Sequence, residues 1–400
     1  MFNFIFALIF ATTALVSQPL QNDGGWRPAW GLDRIDQREA ALNDRYDYLL
    51  TGAGVTVYVF DSGINSSHNE FSGRVKPGFS VISDGYGSED CSGHGTHSAS
   101  LIGGNTYGVA KNVELISVRV LNCSNSNSSS ATLYPAIDWI IEHHKNDVPA
   151  IVNMSVGMSK SIPFNDAARA LIADGLIVVA AAGNQNRDAC LYSPASELSV
   201  ITVGGTDRAE LRASYSNYGA CVDIFAPGSD LVGGWIGAPD TYRSSSGTSN
   251  AAPIVSGIVA LMLEDNPSLT QSEVEQKLKN NATKDAVFNI GPNSPNLLAY
   301  SLFDANIGLP PATTLPVITT IPTTTTILTT TTIPVTTTTL YVSPPATTVQ
   351  PTPTTVPDLV SGTTCSVPAT RTIFYGVPYV CVNTGNQLVW VSKRYSSGRP

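Results

Sequence analysis

Basic residues are scarce in this chain. Lys and Arg number 22 against 31 Asp and Glu, the net charge is −9, and charged residues of both signs make up only 13 % of its 400 residues. A nucleic-acid partner needs a basic face, so that class is not expected. No Lys or Arg precedes the apolar run MFNFIFALIFATTALVSQPL at the amino end, and the first basic residue is Arg27. That run spans about 16 residues where a membrane span needs about 20. No later stretch is longer and as apolar, so no membrane span is expected. The run reads as a secretory signal over residues 1–20, with small residues around Ala14-Leu15-Val16-Ser17 for cleavage. A short buried or anchoring helix is the competing reading. CxxC and HExxH pairings are both missing, which argues against zinc. The six cysteines, an even number behind an export signal, favour three disulfides over metal sites.

What is present changes sharply after Leu309. Residues 310–357 are Thr with interspersed Pro, almost uncharged and without period. They read as a disordered stalk or linker that Pro keeps extended and whose hydroxyls suit O-linked sugars. A Thr-rich β-region is the alternative, and the repeated Pro argues against it. Residues 358–400 alternate apolar and polar positions around Gly and Asn turn signals. They hold Cys365 and Cys381 and read as a small β-module closed by one disulfide, since a domain of this size needs a staple. Its Tyr375, Tyr379 and Trp390 suit either a cell-wall or polymer contact or the module's own core.

Between residues 30 and 300, the runs VTVYVF, VELISVRV, AIVNMSV, LIVVAAAG and SVITVGG are β-branched and apolar, as in strands buried on both faces. Helix-like segments such as TLYPAIDWIIEHHKN and FNDAARALIADG separate them. Such alternation predicts an α/β fold with a central parallel sheet, whose active groups gather at the carboxyl ends of the strands.

Four motifs fall at such ends. VYVFDSGIN delivers Asp61 from a buried strand. CSGHGTHSAS carries His94 into a helix start. AAAGN places Asn184 after a strand, and SSGTSNAAP leads Ser249 into a helix. A Ser hydroxyl is a poor nucleophile until an imidazole takes its proton, and that imidazole needs a carboxylate to hold its tautomer. An Asn amide can donate to the oxyanion formed in acyl transfer, and losing one such donor costs about 10²–10³ in turnover. The order Asp, His, Asn, Ser differs from the other two common triad orders.

With WGLDRIDQ, YGVAKNVELISVRVLNC, SYSNYGACVDIFAPG and SPNLLAYSL added, the chain resembles the subtilisin-like serine proteases (subtilases), in the branch of proteinase K and aqualysin. That resemblance covers residues 25–303. It implies a three-layer fold and a secreted, monomeric endopeptidase acting on proteins or peptides, with apolar or aromatic side chains preferred. Asp61, His94 and Ser249 would be the triad and Asn184 the oxyanion donor. Substrate would lie as an added strand between Asn125-Ser126-Asn127 and Ser155-Val156-Gly157. The resemblance also implies the bridges Cys91–Cys123 and Cys190–Cys221, leaving Cys365 to pair with Cys381. It further implies a structural Ca²⁺ on the carbonyls of Leu198 and Val200 and the carboxylate of Asp223, oxygen donors of the kind a hard cation takes. Asp84, Glu89 and Asp90 read as solvated loop charges. His68 and His97 read as structural, and His143 and His144 as exposed.

The chain departs from the family at Asn250, where Met normally follows the nucleophile, and at Asn125 and Asn127, where glycines are usual. Ser98 and Ser100 replace small apolar positions after the His motif, and Ile254 replaces a His. Relatives carry an amino-terminal propeptide, whereas here the family-like region follows the apolar run directly. The rival from another class is a catalytically silent scaffold on a stalk. An esterase using the same three residues is the rival among enzymes.

Overall fold

The computed structural model describes residues 15–20, 29–126, 130–303, 371–374, 377–383 and 388–392. The chain divides into two compact units, Met1–Leu309 and Pro310–Pro400.

In the first unit the β-branched runs form strands Thr56–Asp61, Glu114–Arg119, Ala150–Met154, Ile177–Ala181 and Ile201–Thr206. They lie inside a nine-stranded sheet. Its order is Thr283–Lys284, Leu297–Leu298, Ile224–Pro227, Ile201–Thr206, Ile177–Ala181, Ala150–Met154, Thr56–Asp61, Glu114–Arg119, Val75–Ser80. All neighbours are parallel except the first pair.

Alternate side chains of a strand point to opposite faces. Val57 and Val59 accordingly pack with Ala99, Ile102, Val255 and Ile258. Tyr58 and Phe60 pack with Ile137, Ile140, Phe164 and Leu171. Helices His94–Gly103 and Thr248–Asp265 thus cover one face, and Tyr134–His143 and Ile162–Ala173 cover the other. The central parallel sheet expected from the alternating runs and the three layers implied by the family resemblance are both observed.

Disulfides join Cys91 to Cys123 and Cys190 to Cys221. They close spans of 32 and 31 residues, which the chain-entropy argument values at roughly 3.5–4 kcal/mol each. Val16–Pro19, inside the segment read as signal, is a strand paired antiparallel with Arg45–Tyr48. Residues 1–14 of that segment, the Thr/Pro stalk at 310–357, Cys365 and Tyr375 lie outside the described residues. In the second unit, Arg371–Phe374, Val377–Asn383 and Leu388–Ser392 form a three-stranded antiparallel sheet.

Candidate active site

Asp61 is the last residue of its strand, and His94 is the first residue of its helix. The two meet because the helix start sits directly on the strand end. A Cβ on Gly95 would fall 2.1 Å from the Gly63 carbonyl oxygen and 3.2 Å from Asp61 Cβ, so only glycine permits this approach. His94 Nδ1 donates to Asp61 Oδ1 at 2.6 Å, and the Ser62 amide donates to the same oxygen at 2.7 Å. Ser98 Oγ donates to Asp61 Oδ2 at 3.1 Å. With its Nδ1 proton committed to the carboxylate, His94 presents Nε2 as an acceptor. Burial pushes the His94 pKa down. The charge and hydrogen bond of Asp61 and the charge of Asp90 push it up, and the balance lies above the ordinary value.

Asp90 is not a solvated loop charge. It is buried and gathers five donors: Ser62 Oγ at 2.9 Å, the Ser92, Gly93 and Thr96 amides at 2.8, 3.0 and 2.9 Å, and Thr96 Oγ1 at 2.6 Å. These amides belong to the first turn of the His94 helix and the residues leading into it, where orphan N–H groups and the helix dipole favour an anion. Asp84 also differs from expectation. It holds the buried Arg119 guanidinium through two 2.6 Å bonds, and that pairing takes its pKa down to about 2. Glu89 accepts from the Ser66 amide at 3.1 Å.

Ser249 is the second residue of the helix Thr248–Asp265. Asn184 follows the strand Ile177–Ala181, and its Oδ1 accepts from the Thr248 amide at 2.8 Å and from Thr248 Oγ1 at 2.9 Å. The Asn184 amide nitrogen is therefore turned the other way. A Cβ on Gly247 would sit 2.8 Å from Ser249 Oγ, 3.4 Å from Asn184 Nδ2 and 3.6 Å from the Ser249 amide. The Ser249 hydroxyl and two N–H donors converge on a space that glycine leaves open. Pro253 has no N–H to give the Ser249 carbonyl four residues back. Ser155 Oγ takes that place at 3.0 Å, while Asn153 Nδ2 donates to Ser155 Oγ at 2.9 Å.

The two segments expected to flank a substrate follow the strands on either side of the Asp61 strand. Asn125 has φ +56°, the left-handed conformation that Asn tolerates best after Gly. Ser126 bonds Asn122 Oδ1 through its amide and hydroxyl, and Asn127 lies outside the described residues. On the other side Ser155 and Val156 are buried and Gly157 is exposed. The next strand, Met158–Ser159, pairs with Tyr192–Ser193.

Other histidines are structural. His68 Nε2 bonds the Thr241 carbonyl at 2.8 Å. His97 Nε2 bonds the Leu231 carbonyl at 3.1 Å rather than a group in its own helix, and burial takes its pKa down to about 4. His143 is exposed, and its Nδ1 shares a hydrogen bond with Tyr58 OH at 2.9 Å. His144 is not exposed as expected, because its ring is 4 % accessible and pairs with Asp174 at 2.9 Å.

For a cation, Asp223 offers a carboxylate that is already occupied. Thr202 donates its amide to Oδ2 at 2.8 Å, and Lys279 Nζ lies 2.8 Å from Oδ1. The Leu198 and Val200 carbonyls accept no hydrogen bond among those described. Two carbonyls with no donor among the described residues fit a calcium ion, and the ammonium on Asp223 stands against it. Asp84, Cys91 and Cys123 cluster closely enough to hold a metal, but both sulfurs are in the disulfide and the carboxylate is on Arg119.

The profile of the Subtilase family matches residues 52–298. The chain belongs to the subtilase family. It is 49 % identical over 274 residues to an "Extracellular serine proteinase" of Thermus sp. (strain Rt41A), covering 68 % of this chain and 66 % of that protein. It is 44 % identical over 279 residues to "Alkaline serine exoprotease A" of Vibrio alginolyticus, covering 70 % of this chain and 51 % of that one. The subtilase thus spans less than two thirds of these relatives' lengths. A crystal structure of a cold adapted subtilisin-like serine proteinase superposes with a TM-score of 0.66 at 42 % identity, covering 69 % of this chain and 98 % of that one. Among the described residues, no helix is long and apolar enough to cross a membrane.

Proposed function

We propose that this subtilase is a secreted serine endopeptidase with Asp61, His94 and Ser249 as its triad. Ser249 Oγ attacks the scissile carbonyl while His94 Nε2 takes its proton, and the same nitrogen later gives that proton to the leaving amine. Asp61 holds the imidazole tautomer and its developing charge. Asn184 Nδ2 and the Ser249 amide receive the oxyanion. The convergence of these donors and Ser249 Oγ in front of Gly247 is the observation that carries the reading. No hydrogen bond joins His94 Nε2 to Ser249 Oγ among those described, and such bonds commonly tighten only when substrate arrives.

Substrate is read as an added strand between residues 125–127 and 155–157, with apolar or aromatic side chains preferred. Protein and peptide substrates, a monomeric working form and a cell-wall or polymer contact by the carboxyl-terminal sheet belong to the same proposal. So does a Ca²⁺ on Leu198, Val200 and Asp223, which would cross-link that corner once Lys279 releases Oδ1. Fluorophosphonate labelling tests the core of it. Wild type is expected to label at one serine and Ser249→Ala not at all. Hydrolysis of peptide as well as ester substrates separates an endopeptidase from an esterase. A folded wild type that never labels would leave the silent scaffold.

A further inference from the structure

The Asp61 carboxylate is held by one helix at both of its oxygens. His94 and Ser98 stand four residues apart in the helix His94–Gly103 and so share one of its faces. His94 Nδ1 takes Oδ1, and Ser98 Oγ takes Oδ2 at 3.1 Å. Oδ1 has a second donor in the Ser62 amide, whereas Ser98 is the single donor described for Oδ2. Asp61 and Ser98 are both within 1 % of complete burial, so bulk water does not stand in for the hydroxyl. A carboxylate buried with an empty oxygen is costly and free to turn about its own axis. With both oxygens claimed by one helix, its plane is set relative to the imidazole.

We infer that Ser98 is a positioning residue for the reaction proposed above, one that fixes the Asp61 carboxylate and weakens its pull on the His94 proton. The inference rests on that reading for its catalytic meaning but not for its physical content. A hydroxyl donating to Oδ2 draws charge away from Oδ1. The imidazolium on Oδ1 is then less stabilised, and His94 gives up its proton at lower pH than it would with an apolar residue at position 98. Ser98 therefore widens the working range toward acid, opposing the upward pull of Asp61 and Asp90 on the same ring.

The test is an NMR titration of the His94 ring in the full chain carrying Ser249→Ala, which prevents self-digestion and leaves Asp61, His94 and Ser98 intact. Ser98→Ala is expected to raise the His94 midpoint by roughly half a pH unit. Ser98→Cys, which fills the space with a weak donor, is expected to follow Ala, and Ser98→Thr to stay with the parent. An unchanged midpoint in Ser98→Ala, or restoration by Cys, would overturn the inference, because either result makes the residue mere packing. If Ser98→Ala fails to fold, the Cys and Thr pair decides alone. The rate of fluorophosphonate labelling against pH, measured in the Ser249 protein, should show its acid limb shifted by the same amount. A wild type that does not label refutes the proposed activity while the ring titration still reports on Ser98.

Discussion

Close to Ser249 in the chain, Asn250 and Gly247 are set by what they leave out. Asn250 is buried, and its side-chain Nδ2 reaches the Gly228 carbonyl at 3.5 Å, long for a hydrogen bond. It has no thioether sulfur, the atom that peroxide oxidises in the Met usual at this position. Wild type is expected to keep its labelling rate after peroxide treatment, and Asn250→Met to lose most of it. Equal loss in both proteins would place the oxidised atom elsewhere. Gly247 leaves out a Cβ that would sit 2.8 Å from Ser249 Oγ and 3.4 Å from Asn184 Nδ2. Its φ of 167° is extended backbone, so alanine is penalised by the filled space alone. Gly247→Ala should fold normally and lose about 10²–10³ in kcat, the cost of a missing oxyanion donor, with little change in KM. Asp61, His94, Asn184 and Ser249 were legible in the sequence because each combines a reactive group with a strand end or helix start. The contacts that Ser98 and Ser155 make were not. Their partners lie 37 and 94 residues away, and a serine among small residues carries no sign of which distant atom it meets.

At the scale of elements, the same distinction separates strands from loops. Period and β-branching revealed the buried strands, since burial on both faces leaves a continuous apolar run. The loop ahead of His94 read as solvated because acidic residues usually are, yet Asp90 organises it by collecting amides that no periodicity records. The amino-terminal segment 30–48 repeats the lesson with a different sign. Asp36 is 5 % exposed, its Oδ2 accepts the Asp47 amide, and its Oδ1 meets no donor among the described residues. Burial, reinforced by the charges of Asp33 and Asp47, raises its pKa from 3.8 to about 7. The folded state then binds a proton that the unfolded chain has already released, so this group subtracts stability as pH rises from about 4 to about 7. In chelator, thermal stability should decline across that window. Asp36→Asn should flatten the decline and raise Tm at pH 8. A variant whose Tm tracks wild type at both ends would show that the carboxyl ionises freely in the fold.

For the molecule as a whole, the open balance is between a built-in cation and a bound one. The chain is acidic overall, and at Asp223 it supplies its own positive charge. Lys279 Nζ lies 2.8 Å from Asp223 Oδ1 and also contacts Glu275. The side chains of Lys279 and Asp223 are 35 % and 16 % exposed, so solvent screens the pair and its worth is about 0.2–1 kcal/mol. Calcium drawing on Asp223 with the Leu198 and Val200 carbonyls has to displace that ammonium and overcome that small sum. Lys279→Met removes the competitor and leaves both carboxylates. Calcium affinity measured by calorimetry should then tighten by roughly 1.4- to fivefold, the factor that energy corresponds to. The gain in Tm on adding calcium should grow with it. Unchanged affinity in Lys279→Met, beside a clear calcium effect on wild type, would mean that the ion binds without Asp223. No calcium effect in either protein would leave the ammonium as the permanent partner of this carboxylate.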